Sequence, residues 1–465
     1  MSRGAERPVL TRTLPCAAAL AALVASLALT VTGGGTLADR APLYDWYLLD
    51  AALFALALLL LRRVDDRQVV PVVLAGSILV AAAGLLAPPR TSDDAYRYVW
   101  DGRVQAAGIS PYAHTPDDPA LRALRDPGLF PTAGGCTAWD EHRTAAGDCT
   151  RINRPAVHTV YPPVAEAWFL AVHPFGGGVR GVQAAGALLA VATTGALLGG
   201  GRSRRAARWG WCPGVTVWAV NDAHVDTLGA LLMVAGLGCV ARRRAGAGGA
   251  LLGAAVATKL LPALALPGAL SGLLARRPTR AGVVLLASAL GTFAAAYLPY
   301  VALSGVGVLG YLPGYLHEEG YEQGHLERFG LVRAVLPDRW APWAAALVLA
   351  AVVLWVLRRG DPGRPWRGAL LVTGTALLLV APSYPWYGLL VVALVALDGR
   401  WEWLAVPAAG QVLYLAGGED AQRTAYGAAL ACVLVVPLLR GLVRAGATRA
   451  AVRPAGTARQ EMTKV

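Results

Sequence analysis

Residues 91–112, TSDDAYRYVWDGRVQAAGISPY, set two adjacent aspartates, Asp93 and Asp94, directly after the apolar run 69–88. A carboxylate beside an apolar wall can take a proton from a hydroxyl, its pKa raised by desolvation and lowered by a cation such as Arg97. Successive side chains on a helix diverge by about 100°, so both aspartates can address one small target only from a loop or a helix cap. A structural role competes with this one. SDD before AYRYVWDGRV is a good helix start, in which an aspartate caps the first turn and the helix dipole favours its charge.

Other costly polar groups recur along the chain. Lys259, in AVATKLLPALALP, is one of only two lysines. It either snorkels at a helix end or pairs with a phosphate at an interface, where an unpaired charge would be expensive. His224 and Asp226 in NDAHVD are too few to form a metal site and suit hydrogen bonding to a polar substrate. Tyr384, Trp386 and Tyr387 in SYPWY fit either an aromatic belt or a platform for a sugar face. Tyr161 in YPP, His325 and Arg328 in HEEGYEQGHLERFG, and Arg97, Tyr98, Trp100 and Asp101 complete the candidate substrate-binding set. No CxxC or HExxH pattern is present, so no metal ligands are assigned and no cofactor or divalent metal is indicated.

The elements that must position these residues are apolar. Of 465 residues 56% are hydrophobic and 15% charged, against about 25% charged in a soluble domain. Windows 15–36, 44–61, 69–88, 179–200, 280–303 and 340–357 approach the roughly 20 residues that cross a core of about 30 Å. They recur along nearly the whole chain, which leaves no room for a large soluble domain. The net charge of +13 sits in short arginine clusters between spans, where the positive-inside rule accounts for it, so nucleic acid is not a partner. The apolar run behind MSRGAERPVLTRTLP exceeds the about 7–15 residues of a signal h-region, and an uncleaved anchor is expected.

Placing the clusters at Arg62, Arg63 and Arg67, at Arg202, Arg204, Arg205 and Arg208, at Arg242 to Arg244, at Arg276, Arg277 and Arg280, and at Arg358, Arg359, Arg364 and Arg367 in the cytoplasm leaves both termini there too. Outward turns then fall at 37–43, 221–224, 304–338, 382–386 and 417–423. The segment 161–178 is short and carries Glu166 and His173, so it is expected as an interfacial helix. Residues 89–178 then form one large extracytoplasmic loop. The stretch 246–274 is too short for two spans and is expected as a broken re-entrant pair with Lys259 at its turn. The chain divides into a cytoplasmic 1–14, a membrane domain 15–441 with a second extracytoplasmic loop at 304–338, and a basic cytoplasmic tail 442–465. Cys136 and Cys149, the only cysteine pair in a polar loop, lie on the outer side, where a disulfide between them is expected.

The series SDDAYRYVWDGRVQAAGISPY, TVYPPVAEAWF, NDAHVDTLGALLMVAG, VATKLLPALALP and APSYPWY resembles the bacterial integral-membrane glycosyltransferases of the C-type fold, in particular polyprenyl-phosphate-mannose-dependent mannosyltransferases of actinobacteria. The resemblance runs in order from about residue 70 to 390. It implies an all-α, polytopic transmembrane bundle of about 12–14 spans with juxtamembrane helices in a large first extracytoplasmic loop. It implies a plasma-membrane enzyme whose active site is extracytoplasmic. A hexose, foremost mannose, would pass from a polyprenyl-phosphate donor to a glycan, lipid or protein acceptor. The essential aspartate maps to Asp94, or to Asp93 in the neighbouring register. Because phosphate leaves without a general acid, one base and a cation suffice, with Lys259, Arg97 or Arg328 as the candidate cations, and a single displacement inverts the anomeric centre. The pair is DD without a spaced D-x-D partner, and the insert 126–154 has no counterpart in the resemblance. A multi-pass transporter and a non-catalytic polyprenol-lipid-binding protein are the rival readings.

Overall fold

The computed structural model describes residues 7–451 apart from 133–134, 276–278, 311–313 and 315–326. His325, Arg276, Arg277 and the end of the basic tail lie outside the described residues. The chain is helical almost throughout. Among the described residues the one sheet is a two-stranded antiparallel hairpin pairing His142 with Thr150 and Arg143 with Cys149.

The first helices are α1 (Arg7–Gly33), α2 (Ala41–Leu61), α3 (Asp66–Ala83), α4 (Asp94–Ala106), α5 (Pro163–Val172), α6 (Val179–Gly199), α7 (Ser203–Gly210), α8 (Asp226–Ala241) and α9 (Ala245–Thr258). Helices Arg280–Ser304, Ala341–Arg359, Pro365–Val380, Leu389–Asp398, Ala405–Ala416 and Glu419–Ala451 follow. Seven helices among the described residues are long and apolar enough to cross a membrane, and an eighth joins them if Val215–Asn221 and α8, bent by 111°, count as one span. All six apolar windows read from the sequence fall on these seven helices, and the chain is an all-α, polytopic membrane protein. Other apolar segments are shorter. Leu389–Asp398 has ten residues, about 15 Å of helix, and packs wholly inside the bundle.

Without water in the hydrocarbon, polar groups on spans must find partners in neighbouring helices. Asp50 of α2, fully buried, accepts from Ser26 Oγ at 2.6 Å and Thr30 Oγ1 at 2.8 Å on α1. Small residues bring other helices together. A Cβ on Gly249 or Gly253, four residues apart on α9, would collide with the carbonyl oxygens of Leu285 and Ala289. Helices such as Arg280–Ser304 instead leave Leu290 and Leu298 exposed on an apolar outer face, suited to lipid.

The bundle has two chemically distinct ends. At one, Arg62, Arg205, Arg208 and Arg440 share one electrostatic field, as do Arg202, Arg205 and Arg242. Arg242 Nη2 donates to the carbonyl of Gly199, and Arg367 and Arg400 pair with Asp398. Helices α3 and α8 each run between these clusters, where Asp66 of α3 pairs with Arg204 and Arg242 follows α8, and an acidic end, where the turn after α3 meets Asn221 and Asp222 and where Asp226 opens α8. There α4 and α5 lie against each other so closely that a Cβ on Gly102 would strike the carbonyl of Phe169. Ten residues make α5 too short to cross a bilayer core, as the reading of 161–178 as an interfacial helix requires. Helix α9 likewise stops at Thr258, and the following turns lead back until Gly272 N donates to Val356 O near Arg358.

Candidate active site

The acidic end is assembled around a break in one helix. Val215–Asn221 forms a π-helix, and the chain then turns through Ala223, held at φ 57°. Asn221 Nδ2 donates to the carbonyls of Gly84, Ala87 and Pro88 at the end of α3. Asp222 accepts from the backbone N–H of Arg90 and Thr91 and from Thr91 Oγ1 at 2.5 Å. The carbonyl of Thr91 in turn accepts from Tyr414 O–H. The turn at 90–91 is thereby held by Asp222 on one side and Tyr414 on the other, which fixes where α4 begins and where the two aspartates stand.

Asp93 occupies the position before α4, yet its side chain makes no capping bond. Its Oδ2 lies 2.6 Å from His142 Nε2 and its Oδ1 accepts from Asn153 Nδ2 at 2.8 Å. The same Nδ2 reaches Asp94 Oδ1 at 2.7 Å. Asp94 Oδ2 stands 3.4 Å from His224 Nδ1. Burial pushes the Asp94 carboxyl up, but His224, the charge of Lys259 and the bond from Asn153 outweigh it and bring the pKa to about 2. The hydrogen bond to Asp93 holds the His142 imidazole above its ordinary 6.5.

Behind Asp94 lies a cation and an aromatic wall. Lys259 Nζ is 2.7 Å from Asp226 Oδ2 and sits over the Tyr387 ring at 4.6 Å. The His224 ring stacks on Trp386 at 3.8 Å and 17°, and Tyr384 stacks on Trp386 at 4.8 Å. Tyr414 meets Trp386 edge-on at 5.5 Å. His224 is buried, and among the described residues neither of its ring nitrogens has a hydrogen-bond partner; the buried Tyr98 O–H has none either. Donors and acceptors left open beside a carboxylate and an aromatic wall are what a polyhydroxylated ligand can satisfy.

Of the residues named from the sequence, Asp93, Asp94, His224, Asp226, Lys259, Tyr384, Trp386 and Tyr387 meet here. Tyr98 and Tyr161 line the α4–α5 side, edge-to-face at 5.1 Å, with Tyr98 stacked on Phe169. Lys259 is neither a snorkelling anchor nor a lone cation, since Asp226 already pairs with it. Arg97 is engaged elsewhere, bonded to both oxygens of Asp101 at 3.0 Å and to the carbonyl of Val157. Trp100 packs on Phe130 in the loop's own core. Arg328 Nη1 donates to Ser383 Oγ at 3.0 Å and braces the turn that carries Tyr384 and Trp386.

Sequence reasoning missed Asn153, His142, Asp222 and Tyr414. The first two come from the insert 126–154, in which Cys136 and Cys149 are joined with Cα atoms 5.4 Å apart. A histidine between two bonded cysteines was the one signal available. Among the described residues no three His, Cys, Asp or Glu side chains gather in a metal-holding group.

A family model described as Alpha-(1->6)-mannopyranosyltransferase, N-terminal domain, matches residues 15–276, more than half of the chain. No curated protein and no solved structure matches. The matched stretch carries α1 to α9 with both aspartates, His224, Asp226 and Lys259, and it ends before Trp386.

Proposed function

The chain belongs to the alpha-(1->6)-mannopyranosyltransferase family and is a membrane mannosyltransferase, and from that premise we propose that it takes mannose from a polyprenyl-phosphate donor and works on the extracytoplasmic face. The acceptor is a hydroxyl of a glycan, lipid or protein. Membership in a family of transferases leaves the transporter and the non-catalytic lipid-binding readings without support.

One observation carries the reading: Asp94 stands 3.4 Å from His224, whose ring stacks on Trp386, and within the field of Lys259, whose ammonium pairs with Asp226, at the end of the bundle away from the arginine clusters. Arginine-rich ends stay in the cytoplasm, which favours an outward site, and a disulfide at Cys136–Cys149 is at home outside the cell. In the proposed step the acceptor oxygen attacks the anomeric carbon as the bond from that carbon to the phosphate oxygen breaks. Asp94 takes the hydroxyl proton, and the polyprenyl phosphate departs with the bonding pair. The bond forms on the face opposite the leaving group, so the configuration inverts. Lys259 lies within electrostatic reach of the same carboxylate and is the cation that would meet the leaving phosphate. The aromatic wall offers a stacking face for the sugar.

Purified protein in detergent, given labelled polyprenyl-phosphate mannose, is expected to glycosylate an acceptor and to ignore a nucleotide sugar. Transfer from the nucleotide sugar alone would refute the donor class.

A further inference from the structure

We propose that Asn153 and His142 are positioning residues that divide the labour of the two aspartates, holding Asp93 as a fully partnered carboxylate and leaving Asp94 Oδ2 as the oxygen that takes the acceptor proton. The inference rests on the reading of the site as a transferase with an aspartate base, and it decides which aspartate that is.

Two adjacent carboxylates repel, and without compensation one would hold its proton more tightly and cease to be a base near neutrality. A single side-chain amide supplies two N–H donors. Here one Nδ2 reaches Asp93 Oδ1 at 2.8 Å and Asp94 Oδ1 at 2.7 Å, which favours the doubly ionised pair. His142 Nε2, 2.6 Å from Asp93 Oδ2, adds a charge-assisted bond on one side only. Both oxygens of Asp93 are therefore engaged, whereas among the described residues Asp94 Oδ2 faces His224 Nδ1, at 3.4 Å without hydrogen-bond alignment.

The insert is built to deliver these two side chains. Thr150 Oγ1 and Arg151 N both donate to the carbonyl of Leu129, Ile152 is fully buried, and Asp140 accepts from Tyr96 O–H of α4 at 2.9 Å. The Cys136–Cys149 bond closes the turn that carries His142. Charged groups facing the aspartates are His142, Asp140 and Arg154 from the insert, His224 from the turn after Asn221, and Lys259 after α9, with the phenols Tyr96, Tyr98, Tyr161 and Tyr414 around them.

Asn153→Leu keeps the branching at Cγ and deletes both donors. Its kcat is expected to fall about tenfold to a hundredfold with donor KM nearly unchanged, and the acid limb of kcat against pH is expected to move up by about one unit. His142→Gln, which keeps a donor, is expected to retain more activity than His142→Leu. A slower Asn153→Leu enzyme whose acid limb stays in place would mean a merely structural role and would overturn the proposal. A second measurement needs no turnover. With labelled histidine, the resonance of His142 is expected to titrate above 6.5 in the wild type and to fall back toward it in Asp93→Asn; equal titration in both proteins would also overturn it. If the wild type transferred no mannose while His142 titrated as stated, the transferase reading would fail and the arrangement of the insert would stand.

Discussion

Lys259 Nζ and Asp226 Oδ2 lie 2.7 Å apart, the lysine just past the end of α9 and the aspartate opening α8. Asp226 is 1% exposed at its side chain and Lys259 19%. The pair locks the two helix ends together and sets a positive charge where Asp94 feels it.

Removing one partner of such a buried pair strands the other. Lys259→Met is expected to destabilise the protein by about 3–5 kcal/mol, and Lys259→Met combined with Asp226→Asn by much less, as thermal unfolding in detergent will report. The double variant isolates the binding role. If the ammonium also meets the donor phosphate, donor affinity falls about tenfold to a hundredfold in a protein that is still folded; unchanged affinity would leave Lys259 a helix lock and nothing more.

Asp94→Asn is nearly isosteric and removes basicity alone. A positioned general base contributes about 10²–10⁴-fold, so single-turnover transfer is expected to slow by that order while donor binding stays close to wild type. A variant that lost donor binding and kept its transfer rate would reverse the assignment.

The His142–Asp93 contact carries a pH signature. The folded pKa of His142 is raised, above all by its hydrogen bond to Asp93, so the stability it adds is complete below the unfolded value of 6.5 and is lost as pH rises through the folded value. Proteolysis within 126–154 is expected to quicken on the alkaline side of 6.5 in the wild type, and to show no such step in Asp93→Asn.

Glu166 gives a pH dependence of the same sign from a different cause. Burial, then the charge of Asp101, hold its carboxyl well above the ordinary 4.5, so the folded protein keeps a proton that the unfolded chain releases. Stability therefore declines as pH rises above 4.5 toward the folded value. Glu166→Gln is expected to raise the thermal midpoint, more at pH 8 than at pH 5. Glu166→Leu is expected to lower it, because Thr159 Oγ1 and Gln105 Nε2 lose their acceptor. Equal midpoints for wild type and Glu166→Gln at both pH values would show that the proton is not held.

The sequence by itself determined six of the seven long apolar helices found among the described residues, the arginine clusters and the list of residues too polar for their surroundings. Each is a local property: hydropathy over about 20 residues marks a span, and a cluster of like charge is visible without neighbours. The family was legible for the same reason, since its motifs are short and contiguous. Shortness also set α5 and the turn at Lys259 apart from the long apolar helices.

What only the tertiary structure decided is who partners whom. Lys259 finds Asp226 across 33 residues, Asp93 finds His142 across 49, and Asp94 finds Asn153 across 59. His224 stacks on Trp386 from the far half of the chain. No periodicity links such residues, because long-range contacts follow from how helices pack. The same limit explains Arg97, which its position beside the aspartates recommended as their cation: one turn on lies Asp101, and at four residues' spacing on a buried helix that pairing prevailed. It also explains Asp93, which had every local qualification to cap α4 and was drawn instead to two donors from an insert that the sequence could only describe as polar.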